Sequence, residues 1–348
     1  MIDEIGSEFW DVPTGPCVDL WTKVNVQWYL AGRCALQAII SELKKHRTIA
    51  MPSWCCESMI KPFADAGFKI YFYPVYWDKT IIQQIRFDCD VLLIMDYFGY
   101  VSPLAGLKSY KGVIIRDLTH SLFSGLYNDA DYYFGSLRKW CGIWSGGYAW
   151  AQDGHGLLMG DSKDSGYADL REKAMEQKRK YIAGESKNTN KDVIKEGYLR
   201  TFEEAEEILE HVGIVSAAER DIQLSGKIDE GLIKALHREN AMILRSAFSD
   251  YLVFPKMRDT DCPMFVPIIV PNGKRDSLRD FLKKHDIYCP IHWPISKYHC
   301  LDNEERFLYD NSLSLVCDQR YTKRDMYRII EKIKIFLKEG DCAHSLHN

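Results

Sequence analysis

The chain has 348 residues, of which 46% are hydrophobic, enough for two packed cores and too many for a disordered chain. Its net charge of −4 excludes the basic surface that nucleic acid or an anionic membrane would select. No run reaches the about 18 apolar residues of a membrane span, and Met1-Ile2-Asp3-Glu4-Ile5-Gly6 lacks the basic and apolar regions of an export signal. The expectation is a cytoplasmic protein. Its 11 cysteines, an odd number without regular spacing, are expected to be reduced thiols.

Short apolar runs predict strands at Thr48–Met51, Lys69–Tyr73, Val91–Met95, Val113–Ile115, Tyr132–Phe134 and Tyr148–Trp150. Several are apolar on both faces, as central strands of a covered sheet are. Helices are predicted between them. One spans Arg33–Lys45, with Leu36, Ile39, Ile40 and Leu43 on one face. Another spans Glu57–Ala66 and stops at Gly67. This alternation predicts an α/β fold with a mainly parallel sheet and helices on both sides.

From Asp161 to Asn190 the composition turns to Lys, Glu, Asp and Ser, and Gly184–Asn190 reads as an exposed loop. Helices follow at Asp192–Glu210 and Asp229–Phe248, the second long enough to link two domains. The last hundred residues predict a smaller α+β unit. Its strands are Tyr251–Phe254, Met264–Val270, Ile287–Trp293 and Ser312–Val316; its helices are Asp276–His285 and Lys323–Lys338. The tail after Gly340 is expected to fray. The domains expected are 1–248, large, and 249–348, small.

The residues that carry chemistry cluster at predicted strand ends. Asp117 closes one apolar run, and Lys139 follows the next after Ser136. Each has an ordinary reading: a lysine after a strand is commonly solvated, and an aspartate there can cap a turn. Together they match the needs of pyridoxal phosphate, a lysine to hold the cofactor covalently and a carboxylate to keep its ring nitrogen protonated. Ser136 lies three residues before the lysine, within reach of a phosphate. Gly146-Gly147 open the following strand and let backbone approach a ligand closely.

Gly32-Arg33-Cys34 starts a helix, and free N–H groups at a helix start bind phosphate. His120 is placed to bond the cofactor or lie against its ring, and Trp54 to offer a stacking face; a loop histidine and a core tryptophan are the plain alternatives. Cys289, His292, His299 and Cys300 do not have the spacing of structural zinc sites, and neither G-x-G-x-x-G nor a Walker A motif occurs.

These motifs, in order, carry a resemblance. Gly32-Arg33-x-Ala35-Leu36, Pro52-Ser53 with Ala66-Gly67, Tyr97-Phe98-Gly99, Asp117-x-x-His120 and Ser136-x-x-Lys139 with Gly146-Gly147 resemble the DegT/StrS-type sugar aminotransferases, pyridoxal phosphate enzymes of fold type I. The segment Asp286–Pro294 resembles the family's small-domain strand, so the likeness covers nearly the whole chain. It implies Lys139 as the cofactor-bound lysine, Asp117 on the pyridine nitrogen, His120 near the ring, and Ser136, Arg33 and Cys34 near the phosphate. It also implies a homodimer that moves an amino group, from glutamate, to a nucleotide-linked keto sugar for glycan precursors.

The chain departs from the family pattern in four places. Arg116 stands where Glu often precedes the aspartate, Ser145 where an acidic residue precedes Gly-Gly, and Cys56 where an aromatic stacks on the ring. An Asn-x-Arg segment is not recognisable before Gly213. An elimination or desulfuration on the same cofactor, or a non-catalytic relative acting as a binding subunit, are the alternatives these departures leave.

Overall fold

The computed structural model describes residues 4–15, 21, 24–85, 88–101, 104, 107–125, 128–161, 166–185 and 191–344. After a two-residue strand β1 (Ile5–Gly6), the chain builds β2 (Gln27–Tyr29), α1 (Gly32–Glu42), β3 (Thr48–Pro52), α2 (Glu57–Asp65) and β4 (Lys69–Tyr73). A small hairpin, β5 (Val75–Trp77) and β6 (Ile81–Gln83), precedes β7 (Val91–Met95), β8 (Val113–Asp117), β9 (Tyr132–Ser136) and β10 (Gly147–Ala151). Seven strands form one sheet in the order β2-β10-β9-β8-β7-β3-β4. All neighbouring pairs from β9 to β4 are parallel, and β10 runs antiparallel to both β9 and β2. Every residue of β7 and β9 is buried, as strands covered on both faces must be.

The parallel register has one consequence for chemistry: β3, β7, β8 and β9 all end on the same edge of the sheet. Open α/β sheets bind ligands at that edge. Asp117 and Ser136 are the last residues of β8 and β9, so the two come to neighbouring points on it.

Beyond the sheet lie α3 (Tyr167–Ala183) and α4 (Lys191–His211), which pack on each other, then α5 (Glu219–Ser225) and α6 (Glu230–Ala247). The buried residues of α3 are Tyr167, Arg171, Ala174, Met175, Lys178 and Tyr181. They recur at helical spacing, but two are basic, which hides the stripe from hydrophobic patterning; the sequence reading saw only a polar stretch here. The predicted loop at Gly184–Asn190 lies mostly outside the described residues.

The chain closes with β11 (Phe265–Ile269), α7 (Arg275–Lys283), β12 (Ile287–Tyr288), α8 (Asn303–Asn311), β13 (Ser312–Val316) and α9 (Lys323–His344). A second core, with Leu244, Val266, Leu278, Leu315 and Ile329, sits between these elements, and Ile5 joins it through the pairing of β1 with β12. Three expectations are corrected. Tyr251–Phe254 is not a strand but the end of a 3-10 turn and a single bridge, Leu252 to Ile268. The strand at Ile287–Trp293 stops at Tyr288, just before Pro290, which has no N–H to give a ladder. The last helix continues past Gly340 to His344, and the four residues after it are outside the described ones. Helix α8 was not foreseen, although its capping box, Asp302 with Glu305, was written in the sequence.

The N-terminal segment is held by charge. Glu4 accepts a hydrogen bond from Lys195 Nζ at 2.6 Å and lies 3.5 Å from Lys178 Nζ, both from the α3–α4 pair. Lys178 is fully buried; desolvation first, then the charge of Arg320, pull its ammonium down to about 7, and Glu4 only partly offsets this. In the unfolded chain a lysine titrates near about 10.4, so the unfolded state binds more protons between those values and stability rises with pH across that window. Lys178→Met is therefore expected to be more stable than the parent at pH 7 and to lose that advantage towards pH 10, since Glu4 keeps Lys195. Urea denaturation at several pH values measures both; a stabilisation independent of pH would contradict the assignment.

Candidate active site

The edge of the sheet is shaped by short turns. After β8 the chain turns at Leu118–Ser121, and after β9 it makes one 3-10 turn, Leu137–Lys139. The buried indole of Trp140 donates to Thr119 O at 2.8 Å and ties the two turns together. Leu137 N donates to Gly146 O at 2.9 Å, which sets the Gly-Gly turn against the same loop. Gly146 has a φ of +127°, which side-chain-bearing residues rarely adopt, and a Cβ on Gly147 would lie 2.1 Å from Ala31 O. The glycines are needed so that β10 can pass the start of α1.

Asp117 is buried, 3% exposed, at the end of β8. Its Oδ1 accepts from Thr119 N at 2.7 Å. Desolvation raises its carboxyl to about 6, against the lowering from Thr119, and the nearby Asp96 adds to the rise. A carboxylate placed this way favours a cationic N–H partner.

Ser136 Oγ is buried and has no hydrogen-bond partner among the described residues. It faces the start of α1: a Cβ built on Gly32 would sit 3.4 Å from Ser136 Cβ. Helix α1 has Ala31 at its N-cap and no side-chain cap, so its first N–H groups are not answered by a side chain. An orphaned hydroxyl facing an uncapped helix start is the donor set a phosphate requires. The side chain of Cys34 is buried in the core, which leaves only its backbone at the helix start. Arg33 departs from the expectation that its side chain lies near a phosphate. Its guanidinium donates to Leu209 O at 3.0 Å, near the carbonyl end of α4, where a helix attracts positive charge.

Lys139 is exposed at the end of its turn. Its positive charge reaches His120, His292 and Cys56, and it also bears on Glu8 and Glu206. His120 is held down to about 3, by burial first and Lys139 second, so it is a neutral imidazole. Its Nδ1 is buried with no partner among the described residues. Its ring stacks on Phe98 at 4.9 Å and on Trp293 at 5.6 Å, nearly parallel to the latter at 12°. His292 stands 5.9 Å from His120, ring to ring, and its Nδ1 is 2.9 Å from Ser314 Oγ.

Trp54 is not available as a stacking face. It is fully buried, with Tyr97 stacked at 4.7 Å, Phe98 and Trp293 edge-on, and its indole N–H donating to His292 O at 2.8 Å. Phe98 is fully buried as well; half-buried Trp293 is the ring beside His120 that keeps some exposure. Trp293 and His292 arrive from the turn after β12, within the Asp286–Pro294 segment that resembled the family's small-domain strand. Among the described residues no cluster of His, Cys, Asp and Glu could hold a metal ion.

The departures at Arg116, Ser145 and Cys56 each have a structural setting. Buried Arg116 bonds Asp96 at 2.7 Å and Asp129 through two nitrogens, so it belongs to the rear of the strand ends. Ser145 donates to Asp221 at 2.6 Å, so a buried carboxylate does stand at the Gly-Gly turn, brought by α5. Cys56 sits at the N-cap position of α2 without a side-chain cap bond; its thiol is 2.9 Å from Ser58 Oγ, and it feels both Asp117 and Lys139.

No protein-family model matches the sequence, and no curated protein matches it. Solved structures do. A Streptococcus pneumoniae protein, Spr1654, assigned as a sugar aminotransferase and solved in its PLP form, is 14% identical with a TM-score of 0.63 over 94% of this chain and 93% of its own. Helicobacter pylori PseC, an aminotransferase in pseudoaminic acid biosynthesis, is 13% identical with a TM-score of 0.61 over 96% of this chain and 100% of its own. A DegT DnrJ EryC1 StrS aminotransferase from Brucella abortus is 16% identical with a TM-score of 0.57 over 91% and 87%. The chain therefore has the fold of these aminotransferases along nearly its whole length.

Burying an ionised Asp117 weakens the protein in the absence of a cationic partner. Its carboxyl sits at about 6 when folded and about 3.9 unfolded, so stability is fully present below about 4 and is lost as pH rises through 6. Asp117→Asn, which keeps an acceptor for Thr119 N, is expected to stabilise the cofactor-free protein at pH 8 by on the order of 2 kcal/mol and to change little at pH 4. Denaturation at the two pH values decides it.

Proposed function

We propose that this chain is a pyridoxal phosphate-dependent aminotransferase that delivers an amino group, with glutamate as donor, to a nucleotide-linked keto sugar. The observation that supports it most is the edge of the sheet. A buried carboxylate raised to about 6, an orphaned serine hydroxyl facing an uncapped helix start, and a lysine one turn further on stand together there. The overall likeness to sugar aminotransferases is a second, independent support.

When bound, the cofactor supplies an electron sink that stabilises negative charge on the carbon losing a proton. Asp117 maintains that capacity by keeping the ring nitrogen protonated. Ser136 Oγ and the first N–H groups of α1 hold the phosphate. Neutral His120, packed on Phe98 and Trp293, has an unanswered Nδ1 that would be free to bond the cofactor. Lys139 would hold the cofactor covalently and would take up and return the proton of the donor carbon, as base and then acid. Its exposure in the single chain suits a site completed by a second copy, so a homodimer belongs to this reading, as do a cytoplasmic location and a small domain at 249–348.

The purified protein mixed with pyridoxal phosphate is expected to develop a band at about 410–430 nm that Lys139→Ala lacks. Glutamate should bleach it and a nucleotide-linked keto sugar restore it. No band in the parent protein would sink this reading, and bleaching by cysteine with sulfide release would move it to desulfuration. Ser136→Ala is expected to weaken cofactor retention by about tenfold with little loss of stability in the cofactor-free protein, because the hydroxyl has no partner there to lose. Equilibrium dialysis and thermal melts separate the two effects.

A further inference from the structure

Trp140, the residue after Lys139, is held from three directions. Its N–H donates to Leu137 O, its indole donates to Thr119 O, and its carbonyl accepts from Gln319 Nε2 at 2.7 Å. The third hold comes from the small unit, because Gln319 lies in the turn between β13 and α9. That donation fixes the Gln319 amide. Its nitrogen faces Trp140, so its oxygen faces the other way, 2.6 Å from His237 Nε2. On the opposite side of the imidazole, Nδ1 lies 2.8 Å from Pro263 O. Carbonyl and amide oxygens only accept, so both ring nitrogens of His237 meet acceptors. A neutral imidazole has one N–H for the two; an imidazolium has one for each.

His237 is 1% exposed, on the buried face of α6, and its ring packs on Trp140 at 5.4 Å. Burial pulls the ring below the ordinary histidine value, against Asp318, Gln319 and the Pro263 carbonyl, which favour its charge; Arg320 opposes it. Asp318 and Arg320 face it from the same turn as Gln319, and Arg320 grips the Asp318 carboxylate through two nitrogens at 2.8 Å, so their effects largely offset. We propose that His237 and Gln319 are positioning residues that tie the lysine turn to the small unit, and that the tie depends on a proton on His237. With both ring protons, His237 donates to Pro263 O and to the Gln319 oxygen, and the amide is locked onto Trp140 O. When one proton leaves, one of the two acceptors faces a bare nitrogen at hydrogen-bond distance, and the amide is released to turn away from Trp140. His237 stays buried in both states. The tie is therefore complete in acid and loosens as pH rises through the His237 transition. As control over Lys139 this rests on the aminotransferase reading above; the tie itself does not.

The full chain is followed first without cofactor. NMR of isotope-labelled histidine rings, with His237 identified by its loss in His237→Gln, is expected to show both of its nitrogens protonated at about pH 5 and one proton gone before the about 6.5 of a free histidine. Hydrogen exchange of the peptide 137–143, corrected for the intrinsic effect of pH, is expected to slow by about fivefold as the second proton binds, the worth of one hydrogen bond. His237→Gln and Gln319→Met are expected to abolish that response. Asp117→Asn, which removes another group titrating in this range, is expected to keep it. With pyridoxal phosphate added, the near-visible band should form at a rate that follows the same transition in the parent and not in Gln319→Met. A His237 ring with a single proton throughout, exchange that ignores its transition, or a response that survives in Gln319→Met overturns the tie. If neither variant folds, the parent and Asp117→Asn decide by whether exchange follows the His237 signal. A band whose formation ignores the transition overturns the control over Lys139. A parent that never forms the band sinks the aminotransferase reading, and the ring signals and exchange still decide the tie.

Discussion

The rest of the site depends on one buried carboxylate. Asp117 ends a strand that is covered on both faces, where it is 3% exposed, accepts from Thr119 N and pairs with no cation among the described residues. Its raised carboxyl is the electrostatic measure of that position. An isolated ionised group in such a place is a cost that a folded chain carries only where something else uses it. A protonated ring nitrogen is such a use. The parallel sheet puts Ser136 one strand away on the same edge, and the turn after β9 brings Lys139 in behind it.

Packing around that carboxylate is organised by two anchors. Trp140 ties the turn after β8 to the turn after β9, so the lysine and the aspartate sit on connected pieces of backbone. Asp96, the residue after β7, would repel Asp117 as a free charge. Arg116 answers it from the same strand as Asp117, since successive residues of a strand point to opposite faces. The arginine that looked out of place in the sequence is thus the neutraliser of a second buried aspartate. Ser145 is similar, passing the role of an acidic residue to Asp221 through a short hydrogen bond.

Much of the fold was legible because apolar runs of four or five residues, separated by helical patterns, have few other arrangements. Val91–Met95 and Ser312–Val316 are strands over the residues expected. What was missed has physical causes. The buried face of α3 contains Arg171 and Lys178, whose stems pack while their charges meet Glu8, Glu206 and Glu4, so hydropathy reads the helix as polar surface. Pro290 shortened the strand at Ile287. At the site, Arg33 was judged by its neighbours in sequence, but the end of α4, 176 residues away, claims its guanidinium. Trp54 was judged by its ring alone, and Tyr97, Phe98 and Trp293 cover that ring.

By itself the sequence determined the α/β alternation, the glycines at Gly146-Gly147 and the order of Asp117, Ser136 and Lys139, because strand period, turn geometry and chain order are local properties. Only the tertiary structure decided which side chains surround them. His292 and Trp293 reach His120 from the far end of the chain, and Asp221 comes to the Gly-Gly turn from α5. Each of these is a contact across long sequence separation, set by how the second core docks on the edge of the sheet, and no local pattern encodes it.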